Sequence, residues 1–304
     1  MAASTTNAAQ RKKSRLHKKE IIAGYLFLLP NFIGFLVFTG LPVIMGFIIS
    51  LTDYSGYGNM NFVGFANYAK MFTDSDFKMA LQNNLVYSLT SVPLTILFAL
   101  LLALMLHRKM YGGSIFQTIY FFPNLTSMVA VGCVWLQIFD SKKGPVNQLL
   151  MSMGVENPPK WFWGVGTALM TVVIVVVWKQ AGYYMIMFMG GLKNISAELY
   201  EAGKIDGANS WQAFWHITWP MLSPTTFMVT ILTFIASFQV FDIINVTTEG
   251  GPGRATQVLV MRIYQEAFKY GRMGYGSAIG YFLFLIIFIV TLIQWQGQKK
   301  WVVE

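Results

Sequence analysis

Long stretches without Asp, Glu, Lys or Arg constrain this chain more than any other feature of its sequence. A helix needs about 20 predominantly apolar residues to cross the hydrocarbon core of a bilayer. Only 12% of the residues are charged, against roughly 25% in a typical soluble domain. Six stretches are long enough, at about 21–51, 79–106, 115–139, 161–189, 222–246 and 273–295. The sequence therefore predicts an all-α membrane protein with six transmembrane helices.

The positions of Lys and Arg predict which side of the membrane each segment faces, because cytoplasmic loops carry an excess of them. With the N-terminus inside, twelve lie inside and nine outside, which favours both termini in the cytoplasm. The inner residues are Arg11, Lys12, Lys13, Arg15, Lys18, Lys19, Arg108, Lys109, Lys193, Lys204, Lys299 and Lys300. The outer residues are Lys70, Lys78, Lys142, Lys143, Lys160, Arg254, Arg262, Lys269 and Arg272.

The same pattern divides the chain into three parts. Residues 1–20 are expected to form a basic cytoplasmic tail, residues 21–298 the six-span domain, and residues 299–304 a cytoplasmic C-terminus. The first apolar stretch is longer than the core of a signal peptide, which has about 7–15 apolar residues. We therefore expect this stretch to be retained as the first spanning helix.

Residue types that carry chemistry are sparse, which narrows the function classes. Cys133 is the only cysteine, and the three histidines, at positions 17, 107 and 216, have no metal-ligand spacing. The net charge of +9 is spread between apolar stretches rather than over one hydrated face, which argues against nucleic-acid binding. Asp53, Asp140 and Glu249 are isolated, so no constellation indicates an enzyme. We predict no catalytic residue and no metal site.

The segment between the fourth and fifth spans, about 190–224, has a pattern of its own. Ser196 is a helix-capping residue, and Glu201 lies in the early turns, where the helix dipole favours acidic side chains. Asp206-Gly207 is a turn signal, because glycine adopts positive φ without steric cost. These residues predict a short helix that ends in a tight turn.

A second helix is predicted to follow, over about 208–217. Pro220 and Pro224 are expected to end it before the next span. Apolar residues at helical spacing form one stripe along it, consisting of Trp211, Phe214, Trp215 and Ile217.

The spacing in this segment resembles the EAA loop of ABC importer permeases, in which Glu-Ala-Ala is followed by Gly, Ile and Pro at fixed distances. Here Gly203 replaces the usual second Ala, and Trp219 replaces the usual Leu before the Pro. The resemblance implies coupling helices that dock into a cleft of a cytoplasmic ATPase, and we call residues 190–224 the coupling loop. It assigns ATPase coupling to Glu201, Ala202, Gly203, Asp206, Gly207, Ile217 and Pro220.

Other segments resemble carbohydrate importer permeases of the maltose-permease type. They are residues 62–68, 238–242, 248–252, 263–264, 267–268 and 273–278. The resemblance implies a multi-pass permease of a bacterial or archaeal cytoplasmic membrane that imports a sugar, with an oligosaccharide expected. It also implies a second permease as heterodimer partner, an ATPase dimer and an extracytoplasmic solute-binding protein. The chain lacks the Gly-x-x-x-x-Gly-Lys-Ser/Thr phosphate loop, so ATP and Mg are expected on the ATPase and no cofactor on this chain.

Polar and aromatic positions within the spans are candidates for sugar contact. In the fifth span, Thr233, Ala236, Ser237 and Val240 lie at 0, +3, +4 and +7, on one helical face. The resemblance to maltose permeases places the family's sugar-contacting face on these positions and on Tyr183 of the fourth span. Hydrogen bonds between helices or to the local backbone are the open alternative for Thr233 and Ser237.

Lys179 and Asp242 are the two charges within the predicted spans, and an intramembrane charge is a functional hypothesis by default. Sugar contact, an ion pair between them and a position of Asp242 near the interface all stay open. Their expected depths differ by roughly 10 Å at 1.5 Å per residue. Lys179 also leaves open a glycerol-phosphate or polyol importer, since phosphate requires a cationic site or a helix terminus. Asp242 leaves open an ion-coupled secondary carrier.

Overall fold

The computed structural model describes residues 20–107 and 112–301, with side chains up to Gln298. In these ranges five helices are long and apolar enough to cross a membrane, and the number is six if one bent helix pair is counted as a span. One isolated bridge, between Thr52 and Phe62, is the β pairing within them. The expected all-α membrane architecture is confirmed. Residues 1–19 of the basic tail, Arg108, Lys109, residues 302–304 and the side chains of Lys299 and Lys300 lie outside the described part.

The spans are separated by short helices in the loops. In chain order the helices are α1 (Glu20–Ser50), α2 (Ala66–Met71), α3 (Ser75–His107), α4 (Gly113–Leu125), α5 (Met128–Ile138), α6 (Pro145–Ser152), α7 (Ala168–Lys193), α8 (Ala197–Ile205), α9 (Ser210–Ala213), α10 (Ser223–Phe238), α11 (Asp242–Thr247), α12 (Leu259–Tyr264) and α13 (Met273–Trp301). The spans are α1, α3, α4 with α5, α7, α10 with α11, and α13.

The third span is broken, where the sequence predicts one helix over about 115–139. α4 and α5 meet at 99°. Thr126 and Ser127 between them have extended backbone, and both the N–H and the hydroxyl of Thr126 bond to the carbonyl of Pro123. These local bonds compete with the next helical turn and end α4.

The fifth span is also interrupted, where the sequence predicts one helix over about 222–246. α10 ends at Phe238, and α11 begins at Asp242. Asp242 occupies the first turn of α11, where the helix dipole favours a carboxylate. The span therefore consists of a long part, α10, and a short part, α11.

The fourth span begins later than the expected position near residue 161. Trp161–Trp163 forms a 3-10 turn, and Gly164 is extended, so α7 starts at Ala168. Phe162 in this turn is buried in a hydrophobic cluster. The 3-10 turn therefore packs against α7 and is not part of that helix.

α7 lies at the centre of the fold, and residues along most of its length are buried. Its N-terminal half joins a cluster around Val172 and Val176, and its C-terminal half joins a cluster around Met185 and Phe188. A third cluster connects α3 with α12 and α13. By contrast, no residue in the most apolar part of α1 is buried within the chain. The C-terminal part of α1 packs on α13, where the ring centroids of Phe47 and Tyr281 are 5.2 Å apart.

Candidate functional site

The coupling loop begins with the predicted short helix. Ser196 precedes α8, and its Oγ accepts a hydrogen bond from the N–H of Glu198 at 3.2 Å. This bond satisfies one of the N–H groups that the start of a helix leaves without a partner. Glu201 and Ala202 lie on the exposed surface of α8.

The predicted turn at Asp206-Gly207 is confirmed. Gly207 has φ of +81°, in the left-handed region that favours glycine. The N–H of Ala208 bonds to the carbonyl of Gly203 at 2.8 Å, which closes the turn. A Cβ at Gly207 would meet nothing within 4 Å, so backbone conformation alone requires glycine there.

The second helix differs from its predicted bounds of about 208–217. It begins at Ser210 after Asn209, which forms a reciprocal capping box with Gln212. It does not end before Pro220, but widens into a π-helical turn at Phe214–Thr218 and continues as Trp219–Met221. Pro220, which has no N–H to donate, directly follows the π-helical turn, where the backbone bonding pattern changes. Pro224 lies in the first turn of α10, where the missing N–H costs no intrahelical bond.

The apolar stripe on this helix is divided rather than buried as one face. Phe214 and Ile217 pack against the hydrophobic cluster at the C-terminal end of α7. Trp211 and Trp215 are 70% and 45% exposed, and their rings contact each other with centroids 5.6 Å apart. Phe214 and Ile217 hold the loop on the spans, while Trp211 and Trp215 remain accessible on its surface.

The two helices of the coupling loop enclose an open groove of about 440 Å³. The structure brings five of the seven predicted coupling residues to this groove. They are Ala202, Gly203, Asp206, Gly207 and Ile217. Gly203 lies against Ile217, since a Cβ on Gly203 would be 2.9 Å from its Cδ1.

The hydroxyl groups of the predicted sugar-contacting face already have protein partners. Thr233 is buried and donates to the carbonyl of Val229 at 2.7 Å. Ser237 is buried and is hydrogen-bonded to Ser88 of α3 at 2.8 Å and to the carbonyl of Phe234. These are the helix-packing and local backbone bonds that the sequence left open as the alternative.

The remaining positions of that face have different surroundings. Ala236 is partly buried on α10. Val240 lies beyond the end of α10 and is packed in the core, so helical periodicity does not place it on the predicted face. Tyr183 of α7 is 41% exposed and contacts the ring of Tyr184. Of the candidates, Tyr183 presents the largest accessible surface.

Lys179 and Asp242 do not form the ion pair considered from the sequence, as judged from the described residues. Lys179 is buried, and its Nζ donates to the carbonyl of Asn124 at 3.0 Å. Asp242 is exposed at the start of α11. Lys179 therefore binds the C-terminal end of α4, whereas Asp242 lies at the N-terminal end of α11.

A second polar site, which the sequence did not reveal, lies at the ends of α3, α12 and α13 predicted to be extracytoplasmic. Arg262 is 6% exposed and forms ion pairs with Asp74 at 3.2 Å, Asp76 at 3.2 Å and Glu266 at 2.6 Å. Arg272 binds the other oxygen of the fully buried Glu266 at 2.6 Å. We call this set, with Tyr275, the ionic cluster.

Hydrogen bonds complete the ionic cluster around Asp74. The hydroxyl of Tyr275 donates to Asp74 at 2.7 Å, and the N–H of Asp76 donates to it at 2.8 Å. Burial acts to raise the pKa of Asp74, but these bonds and the charge of Arg262 outweigh it and hold that pKa below its usual value. In sequence, only the Arg262–Glu266 spacing of four residues hinted at the cluster. Among the described residues, no group of three or more His, Cys, Asp or Glu is arranged to hold a metal ion.

Comparison with known proteins identifies the family. Residues 91–297 match the family described as binding-protein-dependent transport system inner membrane component. The probable ABC transporter permease protein YesP of Bacillus subtilis (strain 168) is 35% identical over 295 residues, which are 96% of this chain and 95% of that protein. The lactose transport system permease protein LacF of Rhizobium radiobacter is 32% identical over 96% of this chain and 99% of its own. The arabinooligosaccharides transport system permease protein AraP of Bacillus subtilis (strain 168) is 36% identical over 90% of this chain and 87% of its own.

The fold matches solved structures as well. The crystal structure of a bacterial alginate ABC transporter in complex with an alginate pentasaccharide-bound periplasmic protein contains a chain with a TM-score of 0.81 to this one. That match covers 93% of this chain and 96% of the other at 24% identity, so it bears on the fold alone. With the family match over two thirds of its length, this chain belongs to the binding-protein-dependent inner membrane components, the membrane-spanning permeases of ABC transporters.

Proposed function

We propose that this chain is a permease subunit of an ATP-driven sugar importer, with an oligosaccharide as substrate. The observation that carries the substrate class is that relatives aligned over nine-tenths or more of this chain are named for lactose and for arabinooligosaccharides. The chain would move sugar by alternating access. A second permease, a cytoplasmic ATPase dimer and an extracytoplasmic solute-binding protein would complete the importer, with ATP and Mg held by the ATPase.

The coupling loop supports a role in transmitting ATP hydrolysis. Glu201, Asp206 and Gly207 are exposed on a folded element whose other side is fixed to the inner ends of the spans by Phe214 and Ile217. A partner that docks in the groove would therefore move the spans rather than a loose loop. Nucleotide state can shift the permease only through contacts that differ between its two conformations.

Tyr183 is the residue that we favour for sugar contact, because stacking on a sugar requires an accessible aromatic face. Thr233 and Ser237 would have to exchange their present bonds for bonds to sugar hydroxyls in another conformation. The pathway predicted from the sequence comprises Tyr183, Thr233, Ala236, Ser237, Val240, Lys179 and Asp242, of which Val240 and Lys179 are held by protein contacts.

Two other functions remain distinguishable from this proposal. A glycerol-phosphate or polyol importer would use Lys179 as its anion ligand, but its ammonium group is bound to the carbonyl of Asn124. An ion-coupled carrier would need a carboxylate within the membrane, and Asp242 is exposed at a helix start. The surroundings of Lys179 therefore do not favour a glycerol-phosphate or polyol importer, and those of Asp242 do not favour an ion-coupled carrier.

The test begins with the tagged chain, purified from its native membrane in mild detergent, and mass spectrometry of every subunit that co-purifies. The whole complex is then placed in proteoliposomes with its binding protein, and ATPase activity is measured with lactose, arabinooligosaccharides, maltooligosaccharides and glycerol 3-phosphate. We expect a second permease and an ATPase to co-purify, and one sugar class to stimulate hydrolysis. Stimulation by glycerol 3-phosphate alone would overturn the sugar assignment, and uptake driven by a proton gradient without ATP would overturn the importer assignment.

A further inference from the structure

The bend in the third span leaves backbone groups at membrane depth that need partners. α4 ends at Leu125, and α5 leaves it at 99°. The last four carbonyl groups of a helix have no partner within that helix. The hydrocarbon core offers no water to bind them. A broken span therefore requires donors from nearby side chains.

Two side chains supply such donors at the end of α4. Thr126 Oγ1 donates to the carbonyl of Pro123 at 2.9 Å, and Lys179 Nζ donates to the carbonyl of Asn124 at 3.0 Å. Thr126 belongs to the bend itself, whereas Lys179 reaches it from α7, 55 residues away in sequence. The C-terminal end of a helix also attracts a cation, because the helix dipole is negative there. Lys179 therefore matches both the hydrogen bonding and the charge of this helix end.

α7 holds the third span on both sides of the bend. Trp178 packs edge-on against Trp135 of α5, with ring centroids 5.3 Å apart. Gly182 lies so close to α4 that a Cβ on it would overlap the carbonyl oxygen of Tyr120. Lys179 lies between these two contacts in sequence and binds the end of α4. A single stretch of α7 thus contacts α5, the end of α4 and the body of α4.

The orientation of α5 in turn determines its contact with the outer part of the fifth span. A Cβ on Gly132 of α5 would lie 3.2 Å from Val246 and 3.3 Å from Ile243, both on α11. The outer halves of the two interrupted spans therefore pack against each other with no intervening space. A change in the bend would displace α11 as well as α5.

We propose that Lys179 is a positioning residue for transport. By binding the carbonyl of Asn124 it fixes the bend between α4 and α5, and thereby the place of α5 against α11. In this role it contacts backbone and not substrate. The effect on transport rests on the function proposed above, whereas the effect on the bend does not depend on it.

The bend can be measured as a distance in the assembled complex. Cys133, the only cysteine of the chain, is exposed on α5, and Ile115 is exposed on α4. With Ile115→Cys added, nitroxide labels at the two positions report the bend by double electron–electron resonance. At 1.5 Å per residue a straight helix would separate the two backbone positions by about 27 Å, and the bent pair by about 18 Å. These values are far enough apart to resolve.

Lys179→Met, Lys179→Gln and Lys179→Arg are compared in this labelled background, with Lys78→Met as the matched loss of an exposed lysine from α3. We expect Met and Gln to shift or broaden the distance distribution towards longer values, since neither brings a cation to Asn124. Arg and the Lys78 control should keep the short distance. If Lys179→Met yields no assembled complex, the distance distribution of Lys179→Gln, which keeps a polar side chain, tests the proposal. An unchanged distribution in Met or Gln would overturn the proposal.

The transport consequence is measured with the same variants as ATP-driven uptake per assembled complex. We expect the maximal rate to fall at least about tenfold in Lys179→Met, because a half-helix along a transport path has lost its fixed orientation. The substrate concentration at half-maximal rate should stay near that of wild type, and Arg should restore the rate. A raised half-maximal concentration at full maximal rate would instead make Lys179 a substrate ligand and overturn the positioning role. A wild-type complex that transports no sugar would refute the proposed function while leaving the distance result intact.

Discussion

The coupling loop and the ionic cluster are both polar regions at the ends of spans, yet they are built in opposite ways. In the loop, most bonds join residues two to five positions apart, such as Glu198 to Ser196 and Ala208 to Gly203. In the cluster, Asp74 receives hydrogen bonds from residues 188 and 201 positions away. A local set forms wherever its short segment folds. The distant set forms only once α3, α12 and α13 have packed together.

The two regions also differ in what they leave unsatisfied. Glu201 and Asp206 are exposed, and Asp206 lines the open groove, so the coupling loop carries charge on its accessible surface. Glu266 is fully buried between Arg262 and Arg272, so the ionic cluster satisfies its charges internally. We therefore expect substitutions in the cluster to change stability and substitutions in the loop to change communication with the ATPase.

The largest effect is expected from Arg262→Met. Removing one member of a buried ion pair costs about 3–5 kcal/mol, because the remaining charge stays buried without its partner. The variant should show a much lower melting temperature in detergent or fail to give monodisperse protein. Size-exclusion profiles and thermal unfolding followed by tryptophan fluorescence measure this.

Arg254→Met is the matched control for that variant. Arg254 also forms an ion pair with Asp76, at 2.5 Å, but its side chain is 54% exposed. Exposed pairs contribute about 0–1 kcal/mol, so this variant should melt close to wild type. Equal losses in the two arginine variants would show that burial is not what distinguishes the cluster.

Asp74→Asn should have the next largest effect, about 1.5–3 kcal/mol, since hydrogen bonds to a charged group are lost. The pKa of Asp74 is lowered in the folded chain, so its contribution is complete above its unfolded value of 3.8 and disappears as the pH falls through the lower folded value. The difference in melting temperature between wild type and Asp74→Asn should therefore be constant from pH 5 to pH 8. A difference that shrinks between pH 8 and pH 5 would mean that the carboxyl group takes up a proton in that range, against the low pKa.

The sequence alone predicts features that depend on neighbouring residues, but not the contacts between distant segments. Gly207 was predictable because positive φ and the Asp-Gly turn are properties of a few adjacent residues. Lys179 was recognisable as a buried charge, but its partner Asn124 was not, because that carbonyl becomes available only where α4 ends. The break between α4 and α5 had a local signal in Pro123 and in Ser127 at the N-cap position of α5. Hydropathy did not reveal it, because the whole stretch from 115 to 139 is apolar enough to form one span. Tertiary contacts thus decided what periodicity could not.

Gly207→Val tests the coupling loop with a smaller energy but a specific readout. A left-handed residue other than glycine costs roughly 1–2 kcal/mol, and the strain would displace the turn between α8 and α9. We expect ATPase stimulation by the sugar-loaded binding protein to fall at least about tenfold, the equivalent of 1.4 kcal/mol. The amount of protein in the membrane and its melting temperature should change little.

Gly154→Val carries the same strain at a different place. Gly154 has φ of +90° and, like Gly207, no atom within 4 Å of a Cβ, but it lies after α6 in an extramembrane loop far from residues 190–224 in sequence. Normal stimulation in Gly154→Val together with impaired stimulation in Gly207→Val assigns the effect to the coupling loop. Equally impaired ATPase stimulation in the two variants would show that general backbone strain, and not the coupling loop, causes the effect.

The smallest effect is expected from Gly203→Ala, which restores the alanine usual in the EAA pattern. The new Cβ would lie 2.9 Å from Ile217 Cδ1, the free end of a flexible side chain, and 3.9 Å from Ala208. A small rotation of Ile217 relieves that contact, and alanine gains about 0.5–1 kcal/mol over glycine within a helix. The two effects oppose each other, so melting temperature and ATPase stimulation should both stay near wild type. A clear loss of stimulation at unchanged stability would show that the Gly203–Ile217 contact sets the angle between the two coupling helices, and that this loop departs from the EAA pattern in geometry as well as in sequence.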